Sequence, residues 1–274
     1  MRIGAQVSKH EFDNINSAVE SAIEDEHYNA IQIFVRNAQN NKRAVFDEKR
    51  MLNYSKLCNI YIHSTYSSVI CKNTSLIIDQ FKTGARIGAK GVVLHIPHSI
   101  PVNELVKCVH ELYQLIRYIP RAPMIILEMI SVVGMYCDPA TINKVCTELV
   151  KKNMNKACMF CIDTAHLHGS GWRVSKYNEM RGWLDKLTHP EMIRIFHLNG
   201  SASARGSGQD VHQPVLSAED VIFGKLKYDQ SGVRAVVEFA QKYNCDLIQE
   251  INRGIADPKL LKLLFELSKT SHTK

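Results

Sequence analysis

Short apolar runs rich in β-branched residues punctuate the chain: Arg2–Val7, Ala30–Val35, Asn59–His63, Gly91–His95, Met124–Glu128, Cys158–Asp163, Met192–His197 and Cys245–Glu250. Runs of this length bounded by polar segments predict buried strands. Helical periods fill the gaps. Leu105, Val109, Leu112 and Ile116 share one face of a helix, and Leu260, Leu261, Leu264 and Leu267 the face of a last one. Asp138-Pro139 and Asp257-Pro258 each read as an N-cap followed by Pro at the first helical position. Buried strands alternating with helices predict a parallel sheet. Eight such units in a chain of this size predict an α/β fold closed as a (β/α)8 TIM barrel. No linker or low-complexity segment interrupts the pattern, so residues 1–274 are expected to form one domain. The open doubly wound sheet is the alternative. Neither G-x-G-x-x-G after the first strand nor G-x-x-x-x-G-K-[ST] occurs, which leaves its nucleotide-binding versions unsupported.

Composition narrows the class. The chain has 274 residues, 45% hydrophobic and 22% charged, which excludes disordered, collagenous and coiled-coil chains. No run approaches the ~18 apolar residues of a membrane span, and the N-terminus lacks the apolar segment of an export signal. An intracellular, cytoplasmic protein with no membrane contact is expected. No dense Lys/Arg cluster reads as a nuclear signal. Lys plus Arg outnumber Asp plus Glu by 34 to 27, an excess that permits a polyanionic partner. The eight cysteines lack framework spacing, so buried thiols are expected. Cys158 and Cys161 share a strand, where i and i+3 face opposite ways, which argues against a redox pair or zinc knuckle.

The chemistry lies at the ends of the runs. Barrel active sites form at the C-terminal ends of the strands. The third, fourth and fifth runs end at His63, His95 and Glu128; the sixth ends at Asp163, with His166 after it; the seventh ends at His197, and its loop carries Asp210 and His212; the eighth ends at Glu250. A lone His or carboxylate after an apolar strand is ordinarily a hydrogen-bonded or capping residue. Buried ionisable groups are costly unless paired or metal-bound, and a whole ring of them at one mouth points to cations. A ligand set of His, Asp and Glu without Cys suits a catalytic zinc site, with manganese the other fit. The set exceeds what one ion needs and suits two or three ions sharing a carboxylate, the usual equipment for hydrolysing phosphate esters. His10, His27, His98, His110, His168, His189 and His272 are read as ordinary histidines, with His98 and His168 close enough to the mouth to support it.

The motifs CIDTAH, FHLN, a Gly/Ser-rich loop with D-x-H, and QEIN, preceded by GAQVS at Gly4–Ser8, together resemble the endonuclease IV family of apurinic/apyrimidinic (AP) endonucleases. The resemblance runs from Gly4 to Asn252. It implies a (β/α)8 barrel with three zinc ions, manganese being possible at one position. The first ion would be held by His63, His95 and Glu128. The second would be held by Glu128, Asp163, His197 and Glu250, with Glu128 bridging and central to catalysis. The third would be held by His166, Asp210 and His212. The implied activity is hydrolysis of DNA 5′ to an abasic site, leaving a 3′-hydroxyl and a 5′-deoxyribose phosphate, with removal of blocking groups from 3′ ends. The implied partner is damaged double-stranded DNA, bound by a monomer. Tyr66 would enter the duplex, and Arg205, in a loop with Ser203 and Ser207, would approach phosphates.

Three positions depart from the family pattern. Gln6 replaces its His, Ser67 its wedge Leu, and Gln39 the inserted Arg, for which Arg36 or Lys42 could substitute. These bear on how the duplex is wedged, not on the metal set. The rival enzyme is a metal-dependent sugar isomerase or epimerase of the xylose isomerase-like barrels, which needs no Asp210–His212 pair with His166. A non-catalytic DNA-binding barrel is the other rival, although none of the ligands is missing.

Overall fold

A computed structural model of the chain describes residues 1–8, 14–37, 40–65, 68–131, 135–251 and 258–270. Its barrel strands are β1 (Arg2–Val7), β2 (Ala30–Ile33), β3 (Asn59–His63), β4 (Gly91–His95), β5 (Met124–Glu128), β6 (Cys158–Asp163) and β7 (Ile193–His197). A two-stranded hairpin, β8 (Gly200–Ser201) and β9 (His212–Gln213), precedes the last barrel strand, β10 (Asp246–Gln249). The eight barrel strands pair in parallel in chain order, and β10 closes on β1. The helices α1 (Ile15–Glu24), α2 (Glu48–Tyr54), α3 (Thr74–Ile87), α4 (Val102–Ile116), α5 (Pro139–Lys151), α6 (Thr164–Gly169), α7 (Tyr177–Leu184), α8 (Gly232–Tyr243) and α9 (Pro258–Thr270) alternate with them. The predicted barrel is the observed one. Local chemistry sets the helix starts: the carboxylates of Asp47 and Asp138 cap the first turns of α2 and α5. No helix among the described residues is long and apolar enough to cross a membrane.

Period-two alternation divides the barrel interior into levels. Ala30, Tyr61, Val93, Ile126, Cys161, Ile195 and Ile248 form a buried cluster inside the barrel. Two residues further along each strand, on the same face, stand Gln32, His63, His95, Glu128, Asp163, His197 and Glu250. The pairing keeps them level: His95 lies opposite Glu128, Asp163 opposite His197, and Gln6 opposite Gln32. The apolar level thus carries a polar ring on its C-terminal side. Gly4 is required for close approach of strands, since a Cβ there would lie 2.4 Å from the Ala30 carbonyl oxygen.

Charge also enters from the opposite end of the barrel. Asp246 is fully buried, and its Oδ2 accepts from Asn59 Nδ2 (2.6 Å) and Tyr61 OH (2.7 Å). Arg194 and Arg2 approach the same carboxylate at 3.5 and 3.8 Å. This cluster closes the floor and is separate from the mouth. One expectation fails: Cys71 and Cys108 form a disulfide, joining the segment before α3 to α4, while Cys58, Cys137, Cys146, Cys158, Cys161 and Cys245 are free and buried. Thirty-seven residues separate the pair in sequence, so spacing could not reveal what packing of neighbouring units brings together.

Candidate metal centre

Strand-end position alone brings six of the ring residues together. Glu128, at the end of β5, is fully buried and lies at the junction. Its Oε2 stands 3.1 Å from His63 Nε2 and 3.2 Å from His95 Nε2. Its Oε1 stands 2.8 Å from His197 Nδ1. Glu250 Oε2 lies 3.0 Å from the same His197 nitrogen, and Asp163 Oδ2 3.8 Å from it. Glu128 therefore belongs to two groups whose ligand atoms converge, one with His63 and His95 and one with Asp163, His197 and Glu250.

The remaining residues come from chain beyond the strands. Asp163 caps α6, accepting from the backbone N–H of His166 at 2.9 Å, which turns His166 back over the mouth. The β8–β9 hairpin folds Asp210 and His212 onto the same spot. Asp210 Oδ2 is 3.2 Å from His166 Nε2, and Oδ1 is 2.8 Å from His212 Nε2. Asp163 Oδ2 is 3.6 Å from His212 Nε2, so this carboxylate stands between the second and third groups. The hairpin is anchored by Asp220, which is buried and accepts from the N–H groups of Ser201, Leu216 and Ile222. Gly206 and Gly208, both at positive φ, let the loop donate backbone N–H groups to the carbonyls of His168 and Gly169.

The donor set fits cations, as the far nitrogens of His63 and His166 show. His63 Nδ1 donates to the Ser64 carbonyl (2.9 Å) and His166 Nδ1 to the Met129 carbonyl (2.6 Å). A carbonyl only accepts, so those nitrogens carry the proton. The near nitrogens, Nε2 in both, then present lone pairs to carboxylate oxygens, an arrangement that a shared cation makes attractive. With only protons to share, the site charges its imidazoles. Burial depresses the His166 and His212 rings, but Asp163, Asp210 and the other carboxylates outweigh it, raising them to about 10 and about 9. Against the same burial, His63 is raised by Glu128 and Glu250, and His197 by Cys161, Glu250 and Glu128. Burial likewise opposes ionisation of Glu250, yet His197 beside it brings it down to about 2.

Some residues escaped sequence reading. Gln32 and Asn199 lie among the ligands: Asn199 Nδ2 donates to Asp163 Oδ2 at 2.7 Å, and its Oδ1 accepts from the Glu250 N–H at 2.9 Å. Asn199 belongs to the FHLN motif, and Gln32 interrupts an apolar run; both signals were present. The Cys161 thiol lies just beneath, near Glu128 and His197, but burial pushes it up to about 12, so it stays a thiol. Arg36, expected as a DNA contact, is held by Asp79 (2.6 and 3.1 Å) and the Asn41 carbonyl (2.7 Å). These contacts tie its loop to α3. Arg205 is exposed on the hairpin loop. His168 is buried with Nε2 donating to the Ser203 carbonyl at 3.2 Å, so it props the hairpin loop. Tyr66, Ser67 and Gln39 lie outside the described residues.

No family model matches the chain. It is 28% identical over 212 residues, 71% of this chain and 68% of the relative, to a probable AP endonuclease of African swine fever virus isolate Pig/Kenya/KEN-50/1950. The protein of the same description from isolate Tick/South Africa/Pretoriuskop Pr4/1996 is 35% identical over 112 residues, 38% of this chain and 37% of its own. The match thus spans little over a third of that relative's length. A probable endonuclease 4 of Mycoplasmopsis agalactiae is 24% identical over 67% of this chain and 71% of the relative. Among solved structures, AsfvAP:AG superposes with a TM-score of 0.78 at 23% identity, covering 99% and 98% of the two chains. Endonuclease IV from Thermus thermophilus gives 0.73 at 19%, with the same coverage. A D-tagatose 3-epimerase-like protein gives 0.66 at 15%, again over 99% and 98%. The structural likenesses show the barrel; the sequence relatives carry the endonuclease names.

Proposed function

We propose that this chain, similar in sequence to AP endonucleases and endonuclease 4, is a zinc-dependent hydrolase that cleaves DNA on the 5′ side of abasic sites. It leaves a 3′-hydroxyl and a 5′-deoxyribose phosphate, and it also clears blocked 3′ ends. The observation that carries this reading is Glu128, shared by two converging ligand groups, beside His166 and His212, which converge with Asp163 and each lie against a carboxylate oxygen of Asp210. One zinc would be held by His63, His95 and Glu128, a second by Glu128, Asp163, His197 and Glu250, and a third by His166, Asp210 and His212. Bound there, the ions supply activation of water near neutral pH and neutralisation of phosphoryl charge.

The chain's own residues supply position and access. Glu128, Asp163 and His197 are sealed from solvent, whereas Asp210 and His95 are 43% and 24% exposed at the side chain. The centre therefore opens to substrate along the His95–Asp210 side and is rigid behind. The positive excess of the chain favours a phosphate backbone, and the exposed Arg205 stands on the loop that carries Asp210. An abasic nucleotide has no base to unstack, so extruding it costs little. A sugar isomerase of similar barrel shape has no use for the His166–Asp210–His212 group. The test is nicking of an oligonucleotide duplex with one abasic site. Cleavage should stop with a strong chelator and return with zinc. A zinc-loaded chain that leaves the abasic duplex intact would refute the reading.

A further inference from the structure

Gln32 is completely buried at the end of β2, level with the ring of ligands yet absent from the ligand set. Its amide touches three side chains. Oε1 lies 3.0 Å from His197 Nε2, and Nε2 lies 2.7 Å from Glu250 Oε1 and 2.8 Å from Gln6 Oε1. The amide has one workable orientation. An ionised carboxylate only accepts, so the atom facing Glu250 must be the NH2 group. The reversed amide would set its oxygen against Glu250 and its NH2 against the imidazole. Gln6, opposite in register on β1, accepts the second N–H at 2.8 Å.

The orientation has a consequence at His197. With the Gln32 oxygen facing Nε2, that nitrogen carries the proton. Nδ1 is left to face Glu128 Oε1 at 2.8 Å and Glu250 Oε2 at 3.0 Å. Rotamer and tautomer of a ligand imidazole are set by what its other nitrogen bonds. His63 and His166 take that bond from the backbone, as described above. His197 has it from a side chain on a different strand, and that side chain also grips Glu250. We propose that Gln32 is a positioning residue of the metal centre: one buried amide selects the Nδ1-coordinating tautomer of His197 and aligns Glu250 beside it. The inference rests on the metal-site reading above and extends it to a residue outside the ligands.

Two measurements test it. In the zinc-loaded wild-type protein, long-range proton–nitrogen correlation spectra should show His197 as the Nε2–H tautomer, with a slowly exchanging ring proton. A His197 protonated on Nδ1 while zinc is bound would overturn the proposal. Gln32→Leu keeps the volume and removes both bonds. Competition with a chromophoric chelator should show one zinc weakened roughly 10- to 100-fold, with the others close to wild type. The visible spectrum of the cobalt-substituted variant should change for one ion alone. All zincs within threefold of wild type, with an unchanged cobalt spectrum, would overturn the proposal while leaving the metal site intact. A wild-type chain that takes up no zinc would instead overturn the metal-site reading, and this inference with it. The tautomer measurement needs no variant, so a Gln32→Leu chain that fails to fold does not shield the proposal.

Discussion

Replacing Glu128 by Gln removes one negative charge from the junction of the two ligand groups and changes little else. The side chain is fully buried, and the amide has nearly the same volume, so the barrel should hold. The electrostatics should not. Each carboxylate oxygen serves a different group, Oε2 facing His63 and His95 and Oε1 facing His197. An amide can offer an oxygen to one group only and turns its N–H groups toward the other. Changes in the outer shell of a metal site cost roughly 10- to 100-fold per site, and loss of a ligand costs at least that. Two ions sharing the residue then imply a loss of roughly 10²- to 10⁴-fold, or about 2.7 to 5.4 kcal/mol of transition-state stabilisation. The assay is single-turnover nicking of the abasic duplex, with zinc content measured on the same sample. Zinc per chain should fall and cleavage with it. A Glu128→Gln chain with full metal content and a rate within tenfold of wild type would show that Glu128 does not bridge, and the two-group geometry would have been misread.

His212→Ala should lower zinc content by about one per chain and cut cleavage roughly a hundredfold, the scale of losing one preorganised electrostatic contact. Affinity for abasic DNA should fall far less, since backbone charge supplies most of it; unchanged metal content and rate would remove the third site. Stability in a chelator should depend on pH in a defined sense. His166 and His212 rise from 6.5 to about 10 and about 9, so their contribution is complete below 6.5 and is lost as pH climbs through 9 to 10. Glu250 falls from 4.5 to about 2, so its contribution is present above 4.5 and is lost on acidification toward 2. A chelated protein whose melting temperature rises steadily from pH 7 to 10 would contradict this. Tyr66→Ala should weaken binding to abasic duplex more than to undamaged duplex, and equal losses would make Tyr66 merely structural. Six thiols should react in the denatured, unreduced chain and eight after reduction; eight in both states would rule out the Cys71–Cys108 bond.

The strands and most of the site could be read from the sequence because both follow from short-range physics. A strand buried on both faces must be an apolar run, so the predicted strands from Asn59–His63 to Cys158–Asp163 match the observed ones residue for residue, and Ala30–Val35 overruns by two. A histidine or carboxylate ending such a run must meet a partner or an ion, which singled out His63, His95, Glu128, Asp163, His197 and Glu250. Closure of the barrel decided the rest. It set Gln32 on β2 against His197 on β7 and Glu250 after β10, a meeting of residues 165 and 218 positions apart. It also set Arg36 against Asp79, Cys71 against Cys108, and Arg194 with Asp246 at the floor. The local pattern around each of these residues is ordinary: an amide in an apolar run, a surface arginine, an isolated cysteine. Their roles depend on the register and order in which eight strands close. That register is set by packing over the whole barrel, and no window of neighbouring residues contains it.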